Sequence, residues 1–312
     1  MKAFLQRLLS TIKPYLRWFI LGGTLFFLAK ALKDRWQEVL QIRIESWGWG
    51  YLAIALTLTL IAHIWSGWVW GWILWEFKQK VSAIWSIETY LITNIGKYLP
   101  GNVWHFYGRI RAAETVGISR AIAIISTLLE PLLMAASALV LAGVASPQSR
   151  GILPLVILSA VLIGIHPKFL NPVVQKLAKK KQKRREQESD EERVQLTHYP
   201  WRPLLGELGF LLIRGLGFLW AIAALTPVEM SSIPLLLSAF SFAWLLGLVV
   251  PGAPGGLGVF EATAIALLDS TYEPAIILST VALYRVISIL AEAIGALLAW
   301  IWQKRWKNSP HN

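Results

Sequence analysis

The sequence predicts an all-α polytopic membrane protein, with about six full transmembrane helices and two re-entrant hairpins arranged as an inverted repeat. Three observations point there. Of the 312 residues, 55% are hydrophobic and 15% charged, a combination rare in soluble domains. Several apolar runs approach or exceed the ~18 residues at which a bilayer-spanning helix becomes the default reading. Two further apolar segments are interrupted by KYLPGN and PGAPGGLG, which no continuous helix runs through. A soluble all-α protein would need charged outer faces on its helices. The longest run, residues 48–75, has His63 as its one ionisable residue between Tyr51 and Trp75.

The chain reads as one integral-membrane domain, 1–312. Residues 2–13 place Phe4, Leu5, Leu8, Leu9 and Ile12 on one helical face, away from Lys2, Gln6, Arg7 and Lys13. A surface-lying amphipathic segment ending at Pro14 fits this pattern, and so does a disordered basic tip. No small-residue cleavage site follows, so the first apolar run reads as an uncleaved anchor. Spans are predicted at 18–32, 48–75, 120–143, 152–167, 203–226 and 275–302. Indoles prefer the headgroup interface. The clusters Trp47, Trp49, Tyr51, then Trp70, Trp72, Trp75, and later Trp300, Trp302, Trp306 are therefore read as depth marks.

The interrupted segments are 83–118 and 234–268. The second arm of the latter, Val259 to Leu268, would reach only ~15 Å, half the hydrocarbon thickness. The second arm of the former, VWHFYGRIRAAETVGIS, is too polar to cross. Each segment is one span plus a tail, or a hairpin that enters and leaves on one side. Cytoplasmic loops carry the Lys and Arg excess. With two hairpins and the N-terminus inside, 22 basic residues fall inside and five outside. With the second segment as a span the balance falls to 19 against eight, and with both as spans it inverts. Two hairpins entering from opposite faces make span 48–75, hairpin and span 120–143 mirror span 203–226, hairpin and span 275–302. Secondary transporters build midplane sites in this way, and irregular backbone at that depth needs protein or water to satisfy it.

Loop 168–202 is the long hydrophilic piece. Seven of the ten residues Lys176 to Arg185 are basic, followed by Glu186, Glu188, Asp190, Glu191 and Glu192. It reads as a cytoplasmic connector, with docking on anionic headgroups as the functional alternative. Because it carries its own acids, no nucleic-acid partner is expected. The chain has no cysteine, which excludes disulfides and thiolate chemistry, and its five histidines show no ligand spacing. No metal, no cofactor and no catalysis are expected.

Helices starting near Val103 and Val259 would aim free N–H groups into the membrane centre, where they favour an anion. Asn102 is placed to cap the first, and Glu261 to reach back to the glycine-rich turn of the second. Tight packing of the tips, without binding, is the alternative use of these Gly and Pro residues. Ionisable residues within the apolar regions are site candidates by their cost, ~2.5–3.5 kcal/mol at mid-span. They are Glu88, Lys97, Glu130, Glu207, Arg214, Glu261, Arg285 and Glu292. The matched spacing of Glu207 and Arg214 against Arg285 and Glu292 predicts cross-pairing between their helices. Glu130 precedes Pro131 and reads as a coupling carboxylate or a kink partner. Glu207 and Glu88 sit close enough to an interface to be solvated. Arg109 and Arg111 suit a lipid phosphate at headgroup depth or serve as ordinary positive-inside residues.

KYLPGNVWHFYGRIRAAETVG and PGAPGGLGVFE resemble the two signature segments of the membrane region of lysylphosphatidylglycerol synthase/flippase proteins, the bacterial multiple peptide resistance factor family. The resemblance runs from about residue 15 to 303. It implies movement of a lipid between leaflets of the cell membrane, while the balance of basic residues places both termini in the cytoplasm. The chain stops at Asn312, so the soluble aminoacyl-transferase domain is not expected and lipid synthesis is not implied. The motif positions are Pro100, Gly101, Arg109, Pro251, Gly255, Gly256, Gly258 and Glu261. With them, the candidate substrate-binding set comprises Lys97, Asn102, Arg111, Glu130, Arg214, Arg285 and Glu292. In a flippase, Lys97, Arg109 and Arg285 would neutralise phosphate, and Glu130, Glu261 and Glu292 would balance charge or accept a cationic headgroup. The expected partners are membrane lipids, anionic or aminoacylated phospholipid foremost, and a homo-oligomer is left open. A transporter of polyprenyl phosphate or a small anion, and a non-transporting partner subunit, are the competing readings.

Overall fold

The computed structural model describes residues 44–98, 103–145, 152–182, 195–250, 256 and 258–307. Among these every regular element is helical. Ten α-helices follow in order. They are α1 (Ser46–Glu76), α2 (Ala83–Asn94), α3 (Trp104–Thr115), α4 (Arg120–Ala145), α5 (Ile152–Ile165), α6 (Pro167–Gln182), α7 (Trp201–Ala223), α8 (Ile233–Val249), α9 (Val259–Leu268) and α10 (Pro274–Lys307). Short 3₁₀ turns at Ile95–Tyr98 and Met230–Ser232 end α2 and lead into α8.

Five of the described helical stretches are long and apolar enough to cross a membrane: Ser46–Glu76, Arg120–Gly143, Trp201–Ala223, Met230–Val249 and Pro274–Arg305. Four of them match predicted spans. The fifth is the first arm of the second interrupted segment. The amphipathic segment 1–14 and span 18–32 lie outside the described residues. Within the span expected at 152–167 the described residues form α5, which runs to Ile165. Its helix breaks at His166 before Pro167, and the chain resumes as α6. The first half of the expected loop 168–202 is therefore helical, and residues 183–194 are outside the described set.

Both interrupted segments fold back on themselves. In the first, Ser82 caps α2 by accepting from the Trp85 amide at 3.1 Å. Helix α3 packs back along α2, with Gly108 against Thr93 and Gly96 against the backbone of His105. A Cβ on Gly96 would stand 2.8 Å from the His105 nitrogen, so only glycine allows that crossing. In the second, Gly256 (φ +73°) crosses α8 at Gly247, where an added Cβ would come within 3.0 Å of the Gly247 Cα. Gly258 (φ +82°) starts α9. The far ends of this segment also meet, since the Ser232 and Tyr272 hydroxyls are 2.9 Å apart.

The long helices α1 and α7 pack antiparallel. Gly48 lies against the Ala224 carbonyl, Gly217 against Thr59, and Gly206 against Val69 and Trp72. The Trp65 indole donates to the Gly206 carbonyl at 2.7 Å. Exchanging α1 with α7, α2 with α8, α3 with α9 and α4 with α10 maps the packing onto itself. Under this exchange α1–α2 becomes α7–α8, α2–α10 becomes α8–α4, and α3–α4 becomes α9–α10. In the same way α1–α10 becomes α7–α4, and α1–α4 becomes α7–α10. Two chemically dissimilar halves thus share one packing pattern, and their first long helices, α1 and α7, are antiparallel.

The tryptophan marks divide. Trp47, Trp49, Trp300 and Trp302 are exposed at helix ends, as a lipid–water boundary demands. Trp70 and Trp72, near the other end of α1, are buried by neighbouring helices. Trp70 stacks on Trp85 of α2, and Trp72 lies under the Arg202 guanidinium at 4.6 Å. They fill the space between helices.

Candidate functional site

The polar residues stand near the middle of the long helices. His63 is mid-α1, Glu130 mid-α4, Arg214 mid-α7, and Arg285, Ser288 and Glu292 are central in α10. Helical phasing turns them inward, and the hairpin ends close the space from two directions. The result is a cavity of about 230 Å³. Its wall takes Asn94 from the end of α2 and Lys97 from the 3₁₀ turn after it, His105 and Arg109 from α3, Gly247 from the last turn of α8, and Gly256 from the connection between α8 and α9. Both interrupted turns therefore border one polar space.

Three ion pairs organise it. Arg109 on α3 pairs with Glu130 on the next long helix, α4, both side chains almost fully buried. The Arg109 guanidinium also lies over the Tyr90 ring at 4.6 Å. Arg285 on α10 pairs with Glu261 on α9 at 2.6–2.7 Å. Glu261 also accepts from the Gly258 amide at 2.6 Å, as predicted for the start of that helix. Each returning hairpin arm is thus tied to the long helix after it, with the charge order reversed between the halves. The third pair joins the halves: Lys97, at the end of the first hairpin's outgoing arm, meets Glu292 of α10 at 2.5 Å.

Arg214 differs from these cations. One guanidinium nitrogen is 3.0 Å from His63 Nε2, and the other donates to the Ser288 hydroxyl at 3.3 Å. The Arg214 Nε has no partner among the described residues. The same His63 Nε2 is 3.1 Å from Glu292. A neutral imidazole nitrogen donates or accepts, so it serves Glu292 or Arg214, not both. The predicted cross-pairing of Glu207 and Arg214 with Arg285 and Glu292 is not what forms. The hairpin residues Glu261 and Lys97 take those partners, because they reach the same helix faces at closer range.

A family model described as the lysylphosphatidylglycerol synthase TM region matches residues 16–295. The chain belongs to that family. Among curated proteins, none matches it. Family membership and five apolar helices together make it a multi-pass membrane protein with a membrane-associated, lipid-related role.

In this member of the lysylphosphatidylglycerol synthase TM family, Lys97, Arg109, Glu130, Arg214, Gly256, Arg285 and Glu292 all border the cavity. Gly258 and Glu261 stand behind it and build the start of α9. Pro100, Gly101, Asn102, Pro251 and Gly255 lie outside the described residues. The residue capping α3 is Val103, without a side-chain cap bond. Arg111 is directed away from the cavity, exposed and paired with Glu114 at 2.9 Å. Burial separates it from Arg109, with which the sequence grouped it. Glu207 is fully buried, not solvated, and neither of its oxygens has a partner among the described residues. Glu88 keeps partial exposure. His63, Asn94, His105, Tyr284 and Ser288 also border the cavity, outside the set the sequence points to, and of these His63 carries a signal in one dimension as the lone ionisable residue of an apolar run.

Proposed function

We propose that this protein is a flippase-like transporter in the cell membrane. It moves a phospholipid headgroup between leaflets through the polar space between two re-entrant hairpins, and it does no covalent chemistry. Both termini face the cytoplasm. The first hairpin enters from that side and the second from the opposite side, so the cavity sits at mid-depth. The headgroup would occupy it while the acyl tails stay in lipid. One observation carries this reading: the turns of both interrupted segments border a single cavity lined by charged residues from the centres of α4, α7 and α10. Intramembrane charge and broken backbone are costly, and their coincidence marks a pathway more readily than a scaffold.

The reversed ion pairs suggest how access alternates. Releasing Arg109 from Glu130 would loosen the first hairpin, and releasing Glu261 from Arg285 would loosen the second. A headgroup that competes for one partner of either pair supplies the differential interaction such a shift requires. The test is leaflet exchange of tail-labelled phospholipid in liposomes containing the purified chain. Exchange well above that of protein-free liposomes supports the reading. Exchange at the protein-free rate for every phospholipid tried would remove it.

A further inference from the structure

The charges bordering the cavity do not cancel. Lys97, Arg109 and Arg285 each hold a carboxylate, namely Glu292, Glu130 and Glu261. Arg214 holds none among the described residues, and one of its nitrogens, Nε, has no hydrogen-bond partner among them. It is only 8% exposed and borders the cavity. Glu207 does not balance it, because that side chain does not border the cavity and has neither oxygen on a cation. A buried guanidinium without a counter-charge costs several kcal/mol, and the cost is recovered when an anion sits against it. Its fork of donors suits two oxygens of one phosphate.

We infer that Arg214 anchors the phosphate of a ligand carrying one net negative charge, and that the cavity discriminates against aminoacylated headgroups carrying net positive charge. This rests on the transport reading above and specifies its substrate. Among the described residues, the two carboxylates bordering the cavity, Glu130 and Glu292, already hold Arg109 and Lys97, so an added ammonium would have to share Glu292 with Lys97 through its one unpartnered oxygen, Oε2. At about 230 Å³ the space lies below the ~300–1,000 Å³ of sites for drug-sized ligands, and it fits a compact glycerophosphate better than one extended by an amino acid. His63 supports the assignment. When its Nε2–H donates to Glu292, the Arg214 nitrogen facing His63 loses its acceptor, Ser288 is the remaining hydrogen-bond partner of the guanidinium among the described residues, and the freed nitrogen can turn to a ligand. A phosphodiester lipid, a polyprenyl phosphate and free phosphate share this chemistry.

The experiment uses the full chain in liposomes with three lipids of identical tails: phosphatidylglycerol (net −1), phosphatidylethanolamine (net 0) and lysylphosphatidylglycerol (net +1). The wild type is expected to exchange phosphatidylglycerol about tenfold faster than the lysyl lipid. Arg214→Gln should abolish that preference, and Arg214→Lys should keep part of it. A second measurement is independent of transport. It reads thermal stabilisation of the detergent-solubilised chain by short-chain phosphatidylglycerol and by inorganic phosphate, lost in Arg214→Gln with an unchanged circular dichroism spectrum. Stabilisation by phosphate equal to that by lipid assigns a soluble ligand to the same anchor. Exchange of the lysyl lipid as fast as phosphatidylglycerol, or a preference that survives Arg214→Gln, overturns the inference and leaves the flippase reading standing. If no lipid is exchanged, the flippase reading fails. The anchor then stands on Arg214-dependent stabilisation by an anion, and falls without it.

Discussion

Lys97 and Glu292 are 195 residues apart in the chain and 2.5 Å apart in space. Their contact ties the end of the first hairpin's outgoing arm to the centre of the last long helix, so the two halves are held together at the cavity itself. Glu292 is 3% exposed and Lys97 21%, so removing the lysine leaves a buried carboxylate with only the neutral neighbours His63 and Tyr98 beside it among the described residues. Lys97→Met is expected to lower stability by about 3 kcal/mol. The exchange Lys97→Glu with Glu292→Lys should recover much of that loss. Thermal unfolding in detergent reads both, and additive losses in the exchanged protein would contradict a direct pair.

The Arg109–Glu130 pair is buried on both sides, whereas Arg111–Glu114 is exposed on the arginine side. Glu130→Gln and Arg109→Gln should each cost about 3–5 kcal/mol, and the double variant less than their sum. Arg111→Ala should change stability by no more than about 0.5 kcal/mol. A double-mutant cycle showing no coupling between residues 109 and 130 would rule the pair out.

Gly256 holds φ +73° and has no room for a Cβ beside Gly247. Gly256→Ala should cost about 1–3 kcal/mol through strain and the shifted crossing. Gly50, within α1, has nothing within 4 Å of an added Cβ. Gly50→Ala should stabilise by up to about 1 kcal/mol. Equal melting temperatures for the two variants would show that the crossing is looser than described.

Glu207 makes no hydrogen bond or ion pair among the described residues. Glu207→Gln is therefore expected to leave the melting temperature at or above that of the wild type, since no partner is stranded. A loss of more than about 1 kcal/mol would reveal a partner.

The sequence made the backbone plan legible where the physics is local. Prolines and glycines at 99–101 and 251–258 stop a helix wherever they occur, and the returning arms begin at Trp104 and Val259, within a residue of expectation. The reach of Glu261 back to the Gly258 amide was also local, three residues apart. The ion pairs were not legible. Two-turn spacing in α7 and α10 suggested that these helices pair with each other, but spacing says nothing of a third element. The hairpins bring Lys97 and Glu261 to Glu292 and Arg285 first. Burial was equally invisible at Trp70 and Trp72, whose indoles look interfacial in one dimension and fill a helix crossing in three. The helix expected at 152–167 ends two residues early, at Ile165, because the break falls before Pro167, a signal the sequence itself carries.

The central claim is that the two hairpins enter the membrane from opposite faces, and side-specific labelling tests it most directly. The chain has no cysteine, so single cysteines report alone. Lys80, Ser119, Ser231 and Ser270 are exposed at the ends of the two segments. In oriented vesicles, Lys80→Cys and Ser119→Cys should react with an impermeant maleimide from the cytoplasmic side only. Ser231→Cys and Ser270→Cys should react from the opposite side only. If residues 80 and 119 label from different sides, or 231 and 270 do, that segment crosses the bilayer, and the opposed-hairpin cavity does not exist.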